Sequence, residues 1–200
     1  EFDEDKLLSN IDVEEFFFVR DLKQRKLFLN SDISQYSIED PAKYILQFNR
    51  EDASIPVEER KPILLYVASN GGEVDSGFEL IDIIQASKTP VYTINLGYCY
   101  SMGFLIFLAG HKRYALKNSK LLMHDGSSFV YNSGSKVMDQ VEFNKRVEER
   151  TKQYILERSN ITSKEYDKKL RTEWYMFADE GKERGMVDMI IGQDCDIEEI

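Results

Sequence analysis

Two residues in this sequence have the types and the setting for nucleophilic catalysis. Ser101 lies between the predicted end of an apolar strand and the predicted start of an all-apolar helix, where unpaired helix N–H groups favour negative charge. His124 follows the short apolar segment 121–123 and precedes a Gly/Ser-rich stretch, a position where α/β sheets collect functional groups. A serine hydroxyl with a histidine base can cleave acyl bonds at neutral pH. Each residue also has a plainer interpretation, a helix cap for Ser101 and a structural histidine for His124.

A pair of glycines adds a third signal for the same chemistry. Gly71 and Gly72 end the preceding apolar strand, and glycine pairs let backbone N–H groups face a ligand without side-chain obstruction. Such a turn, together with the Met102 N–H, could form an oxyanion hole beside Ser101. The second histidine of the chain, His111, lies in a basic run after a helix stop signal and is predicted to be an exposed loop residue.

Strand and helix patterns alternate around these residues. Residues 62–68 form a near-continuous apolar run typical of a buried parallel strand, and apolar residues recur at helical spacing through 73–87. A second apolar strand at 91–96 is followed by the helix 102–109, which is apolar on every side and ends at Gly110. The repetition of strand, glycine turn and helix predicts an α/β fold with βαβ crossovers.

The flanking segments predict further elements of one domain over residues 25–200, preceded by an N-terminal arm at 1–24. Ser37 is interpreted as a helix cap with Pro41 in the first turn. The remaining predictions are strands at 26–29, 113–116 and 120–124, a long helix at 136–158 and a shorter helix that begins at 162 or 163.

Composition limits the classes of function. The 200 residues, 42% of them hydrophobic, suit one compact domain, and the net charge of −10 argues against nucleic-acid or anionic-membrane surfaces. The chain has no apolar run of about 18 residues and no basic-then-apolar leader, so a soluble cytoplasmic protein is predicted. Its two cysteines have no metal-site spacing, so neither a disulfide framework nor a zinc site is predicted. No cofactor is expected.

Three motifs, in their order along the chain, resemble those of the proteolytic subunit of the Clp protease, ClpP. They are the turn 69–72, the stretch 97–103 around Ser101, and the strand end at His124. The resemblance runs from about residue 25 to residue 191. It implies an α/β ClpP/crotonase-like spiral of repeated ββα/βαβ units with a protruding handle at about 125–158, made of a β-strand and a long helix. Residues 129–131 would form an edge strand there that pairs with substrate.

By that resemblance, Ser101 is the nucleophile of a serine endopeptidase and His124 its general base. The Gly71–Gly72 turn and the Met102 N–H would hold the oxyanion. The third triad member, an aspartate in the family, corresponds to Glu173 in this chain.

The resemblance also implies the assembly and the partners. The subunits would form heptameric rings stacked as a tetradecamer, fed with unfolded polypeptides by an ATP-dependent AAA+ unfoldase. Two alternatives stay open. In the first, Glu173 and the bulky Tyr100 have cost the triad its geometry, and the chain is a structural ring subunit with weakened catalysis. In the second, it is an acyl-CoA enzyme of the crotonase superfamily, which shares the spiral fold and the pattern at 185–188.

Overall fold

The computed structural model describes residues 12–127 and 130–200, which form a mixed α/β fold around a seven-stranded sheet. The strands are β1 (Lys26–Leu29), β2 (Ile63–Ser69), β3 (Val91–Tyr100), β4 (Lys112–Leu116), β5 (Lys120–Met123), β6 (Trp174–Phe177) and β7 (Met189–Ile191). The helices are α1 (Val13–Lys23), α2 (Gln35–Glu51), α3 (Val74–Ala86), α4 (Met102–Ala109), α5 (Gly134–Glu157), α6 (Ser163–Lys169) and α7 (Ala178–Glu183), with short 3₁₀ turns at Val57–Glu59 and Ile197–Glu199. The predicted α/β class is confirmed.

The sheet divides at its longest strand. Strands β1, β2, β3, β4 and β7 lie in that order and are parallel. The first half of β3 pairs with β4, whereas its last residues, 98–100, pair in parallel with β5. Strand β6 then adds to β5 in the antiparallel direction. The end of β3 therefore lies beside a small mixed sheet.

Helix α4 occupies the centre of the core. All eight of its residues are buried, as its uniformly apolar sequence predicts. Its first turn packs closely on the end of β2, because a Cβ on Gly103 would lie 2.9 Å from the Ser69 Cβ. This contact brings the ends of β2 and β3 together.

Among the helices of the described ranges, none is long and apolar enough to cross a membrane.

Helix α5 is attached mainly at its C-terminal end. Of its 24 residues, the buried ones are Tyr154 and Ile155, and the Tyr154 hydroxyl donates to the Leu105 carbonyl at 2.8 Å. The predicted long helix at 136–158 is confirmed, with bounds of 134–157. The predicted edge strand at 129–131 includes Phe129, which lies outside the described residues, and the adjoining residues 130–133 have no regular structure.

Three details differ from the sequence prediction. Ser37 is not the cap of α2, because the helix begins earlier, where Ser34 Oγ accepts from the Ser37 N–H at 3.3 Å and Ser37 Oγ accepts from the Ser34 N–H at 2.9 Å. Pro41 consequently lies inside the helix. The sequence pattern does not predict β6. Finally, residues 13–23 of the predicted arm are helical, with no buried residue.

A partly buried ion pair connects the residues just before β1, just after α2 and just before β3. The Arg25 guanidinium donates to both carboxylate oxygens of Asp52 at 2.7 and 2.6 Å, and the Thr89 hydroxyl donates to the same carboxylate at 2.8 Å. The hydrogen bonds from Arg25 lower the pKa of Asp52 below its ordinary value, although burial acts in the opposite direction.

We predict that Asp52→Asn lowers the free energy of unfolding by about 2 kcal/mol at pH 7, because the Arg25 charge would lose its partner. A carboxylate with a depressed folded-state pKa contributes stability above its unfolded pKa, about 3.9, and loses it as the pH falls through the folded pKa. The difference in the free energy of unfolding between variant and wild type, measured by urea unfolding, should therefore narrow below about pH 4.

The matched control is Asp167→Asn, which removes the exposed ion pair with Lys152. It should change the free energy of unfolding by less than about 0.5 kcal/mol. An Asp52→Asn deficit that stays constant from pH 7 to pH 3 would contradict the assigned role of the carboxylate.

Candidate active site

Ser101 has a strained backbone. It is the residue between β3 and α4, and its φ of 53° with ψ of −122° is rare for a residue with a side chain. Hydrogen bonds hold this conformation on both sides: the Ser101 N–H donates to the Leu122 carbonyl at 3.0 Å, and the Ser101 carbonyl accepts from the Phe104 N–H at 3.0 Å. The hydroxyl makes no capping hydrogen bond. Ser101 therefore occupies the cap position of α4 without using its side chain as a cap.

The turn at Gly71 and Gly72 lies against Ser101. Both glycines have positive φ, 103° and 148°. A Cβ on Gly71 would lie 2.6 Å from the Ser101 Cβ and 3.0 Å from the Met102 nitrogen, and a Cβ on Gly72 would collide with the backbone of Ile33. Only glycine fits at these two positions.

The two glycine amides differ in availability. The Gly71 N–H donates to Ser69 Oγ at 3.1 Å. The Gly72 N–H, in contrast, makes no hydrogen bond with any residue in the described ranges. The Met102 N–H belongs to the first residue of α4 and so has no acceptor within the helix. Of these three amides, those of Gly72 and Met102 are therefore without an acceptor within the described ranges.

Strand pairing brings His124 opposite Glu173. The last pair of the β5–β6 ladder joins Met123 to Trp174, so the next residues along each strand, His124 and Glu173, face each other. His124 Nδ1 lies 3.0 Å from Glu173 Oε1. The His124 side chain is 27% exposed and that of Glu173 is 58% exposed. Glu173 is thus bound to the histidine rather than isolated on the surface.

This contact determines the state of the imidazole ring. An ionised carboxylate only accepts hydrogen bonds, so with Glu173 ionised the Nδ1 of His124 carries the proton and donates the hydrogen bond. In the neutral ring Nε2 is then an acceptor, as a general base requires. Within the described residues no hydrogen bond joins the Ser101 hydroxyl to His124. The structure therefore connects His124 to Glu173 directly, and His124 to Ser101 through adjacent strand ends.

Cys99 and Tyr100, which precede Ser101, point to opposite faces of β3. Cys99 is fully buried in the core, and burial raises the pKa of its thiol well above the ordinary value. Its side chain packs in the core, on the face of β3 opposite that of Tyr100. Tyr100 points to the other face, where its ring contacts Tyr98 and Tyr175.

The other histidine has a different environment. His111 is exposed, as predicted, but its Nδ1 accepts a hydrogen bond from the Val91 N–H at 3.1 Å. The ring is nevertheless partly desolvated, which lowers the pKa of His111 below its ordinary value, and the Arg158 charge acts in the same direction. In residues 12–127 and 130–200, no three His, Cys, Asp or Glu residues are grouped to hold a metal ion.

The sequence analysis did not identify two contributors to the site. Ser69 binds the Gly71 amide, and β6 carries Glu173 into place. The signal for β6 is the alternation in residues 174–177, where Trp174 and Met176 are buried and the two residues that follow them are exposed. Four residues are too few for this alternation to stand out from a loop.

Two comparisons with known proteins identify the family of the chain. The chain matches the Clp protease family model over residues 14–194. It is also 30% identical over 190 residues to the ATP-dependent Clp protease proteolytic subunit 2 of Treponema pallidum (strain Nichols), in an alignment that covers 92% of this chain and 90% of that subunit. The resemblance inferred from the motifs is confirmed, and the chain belongs to the Clp protease family.

Proposed function

We propose that this chain is a serine endopeptidase subunit in which Ser101, His124 and Glu173 form the catalytic triad. The observation that carries the proposal is the hydrogen bond between His124 and Glu173 at the end of the strand to which the strained Ser101 backbone is bound. A serine held in a rare backbone conformation, a base and an orienting acid on adjacent strand ends are the elements of acyl-transfer catalysis.

In the proposed reaction, Ser101 Oγ attacks the carbonyl carbon of a peptide bond and its proton moves to His124 Nε2. The negative oxygen of the tetrahedral intermediate is held by the N–H groups of Gly72 and Met102. The C–N bond then breaks, and the leaving amine takes the proton from His124. Water hydrolyses the acyl-enzyme with His124 again acting as base.

Glu173 would stabilise the imidazolium that forms in each step and hold Nδ1 toward itself. It accepts one hydrogen bond at 3.0 Å, and its side chain is more than half exposed. Solvent screens an exposed carboxylate, so its effect on the rate should be smaller than that of a buried triad acid.

The proposed setting is a Clp-type proteolytic chamber. We extend to this chain the ATP-dependent activity in the name of its Treponema relative, with a AAA+ unfoldase that delivers unfolded polypeptides and this subunit needing no cofactor of its own. Heptameric rings stacked as a tetradecamer, in the cytoplasm, complete the proposal. The acyl-CoA alternative is not pursued, because the chain belongs to the Clp protease family.

A second candidate function is a structural ring subunit with weakened catalysis. The observation that favours it is the absence, within the described residues, of a hydrogen bond between Ser101 and His124. Catalytic hydrogen bonds often form only with substrate bound, so this geometry is compatible with both candidates and activity separates them.

We predict that a fluorophosphonate probe modifies Ser101 covalently, because the serine has both a base and an oxyanion site beside it. Intact-mass analysis and peptide mapping would show one adduct per chain. The Ser101→Ala variant should remain unlabelled, and the matched variant Ser127→Ala should label like the wild type. A correctly assembled wild-type protein that stays unmodified would favour the structural subunit.

We also predict that Glu173→Gln lowers kcat on a small fluorogenic peptide by about 10²-fold with KM nearly unchanged, because the imidazolium loses its partner. Glu173→Asp, which restores the acid typical of the family, should retain more activity than Glu173→Gln. Equal activity of wild type and Glu173→Gln would remove Glu173 from the triad.

The assembly is expected to contain seven or fourteen subunits in native mass spectrometry, because a closed ring buries the contacts of every subunit. The Ser101→Ala variant should assemble equally well, since the Ser101 hydroxyl that it lacks makes no capping hydrogen bond in the wild type. A stable monomer at micromolar concentration would contradict the proposed chamber.

A further inference from the structure

Tyr100, Leu122 and Tyr175 form one row across the small mixed sheet. Tyr100 of β3 is in register with Leu122 of β5, and Leu122 is in register with Tyr175 of β6. Residues in register on neighbouring strands point to the same face of a sheet. The row lies on the face opposite the buried residues Cys99, Leu121 and Met176.

The two tyrosines of this row meet across the middle strand. Neighbouring strands lie about 4.8 Å apart, so β3 and β6 are separated by about 10 Å. The Tyr100 and Tyr175 ring centroids are nevertheless 5.7 Å apart, in an edge-to-face arrangement with an interplanar angle of 89°. Both rings therefore lean over β5. Leu122 between them is 5% exposed, whereas Tyr175 is 55% exposed.

Each residue of the row is close in sequence to one member of the proposed triad. Tyr100 immediately precedes Ser101. Leu122 is two residues before His124, and its carbonyl binds the Ser101 N–H. Tyr175 is two residues after Glu173. A change in the lateral spacing of β3, β5 and β6 would therefore move the side chains of the proposed triad relative to one another.

Strand β6 is restrained on its inner face by the buried side chains of Trp174 and Met176, and on its outer face by fewer contacts. It is four residues long, and its ladder hydrogen bonds run to β5. Glu173, just before it, makes one hydrogen bond within the described ranges, to His124. A short edge strand frays readily at its ends, so a side-chain contact that reaches over β5 to β3 adds a restraint that the backbone ladder lacks.

We propose that the Tyr100–Tyr175 contact, the tyrosine clasp, positions the triad by holding the start of β6 against the end of β3. Tyr98, whose ring lies 5.3 Å from that of Tyr100, supports the clasp from the neighbouring position on β3. The tyrosines act through Glu173 and His124 and do not touch the reacting atoms. This inference rests on the proposed function for its catalytic consequence, while the structural part stands on the ring contact itself.

The test is a double-mutant cycle between the clasp and Glu173, measured on the assembled protein with a small fluorogenic peptide. Tyr175→Ala should lower kcat about tenfold and change KM by less than about twofold, because a misplaced acid and base affect the chemical step. In a Glu173→Ala background the same substitution should change kcat less than about twofold, since the group that the clasp positions is already absent.

Two further variants separate positioning from loss of folding. Tyr175→Phe keeps the ring contact and should retain activity within about twofold of the wild type. Tyr100→Ala removes the same contact from the other side and should reproduce the tenfold loss of kcat. It replaces Tyr175→Ala in the cycle if that variant does not fold. The matched control is Phe28→Ala, which removes the exposed partner of a stacked pair with Tyr66 on β1 and β2 of the same sheet. It should leave peptide turnover unchanged.

If Tyr175→Ala lowered kcat by the same factor in the wild-type and the Glu173→Ala backgrounds, the proposed role of the clasp would be wrong. A rise in KM alone would also overturn it, because it would identify the tyrosines as a substrate subsite. A crystal structure of Tyr175→Ala provides an arm that does not depend on activity. The clasp predicts that the contact between His124 Nδ1 and Glu173 Oε1 is lost, and its persistence at 3.0 Å would overturn the proposal. A wild-type assembly without turnover would defeat the proposed function, and this structural arm would still decide on the clasp.

Discussion

The candidate site depends on the hydrogen bonds that strand Lys120–Met123 makes on both of its edges. On one edge it pairs in parallel with the last residues of β3, which brings Leu122 to the Ser101 N–H. On the other edge it pairs antiparallel with β6, and the register places His124 opposite Glu173. The end of β3, the end of β5 and the start of β6 therefore lie together, although they are far apart in sequence. A one-residue slip in either ladder would turn the side chains to the wrong face.

The strained serine is compatible with this framework because the core beneath it is rigid. A residue in a rare backbone region costs about 1–3 kcal/mol. Helix α4, which begins directly after Ser101, is buried along its whole length and packs closely on β2 through Gly103. Gly71 contacts the serine from the other side, where any side chain would collide. Close packing on both sides offsets the strain and leaves the hydroxyl without a capping role.

The parts of this structure that follow from local pattern were predictable from the sequence. Long apolar runs identified β2, β3 and α4, and the glycine pair identified the turn beside Ser101. Other parts depend on tertiary contacts. Strand β6 is four residues long and is stabilised by pairing with β5, so no local signal separates it from a loop. Glu173 followed from family resemblance, and its contact with His124 follows from a register that residue types do not encode. The choice of Ser34 over Ser37 as cap depended on a reciprocal hydrogen bond.

The most direct test of the account is a crystal structure of the protein with a peptidyl boronate bound to Ser101, which mimics the tetrahedral intermediate. We expect a bond from Ser101 Oγ to boron, with one boronate oxygen about 2.7–3.1 Å from both the Gly72 and the Met102 nitrogen. We also expect His124 to stay hydrogen-bonded to Glu173 and to turn Nε2 toward the adduct. A boronate oxygen directed away from both amides, or an adduct on another residue, would contradict the account.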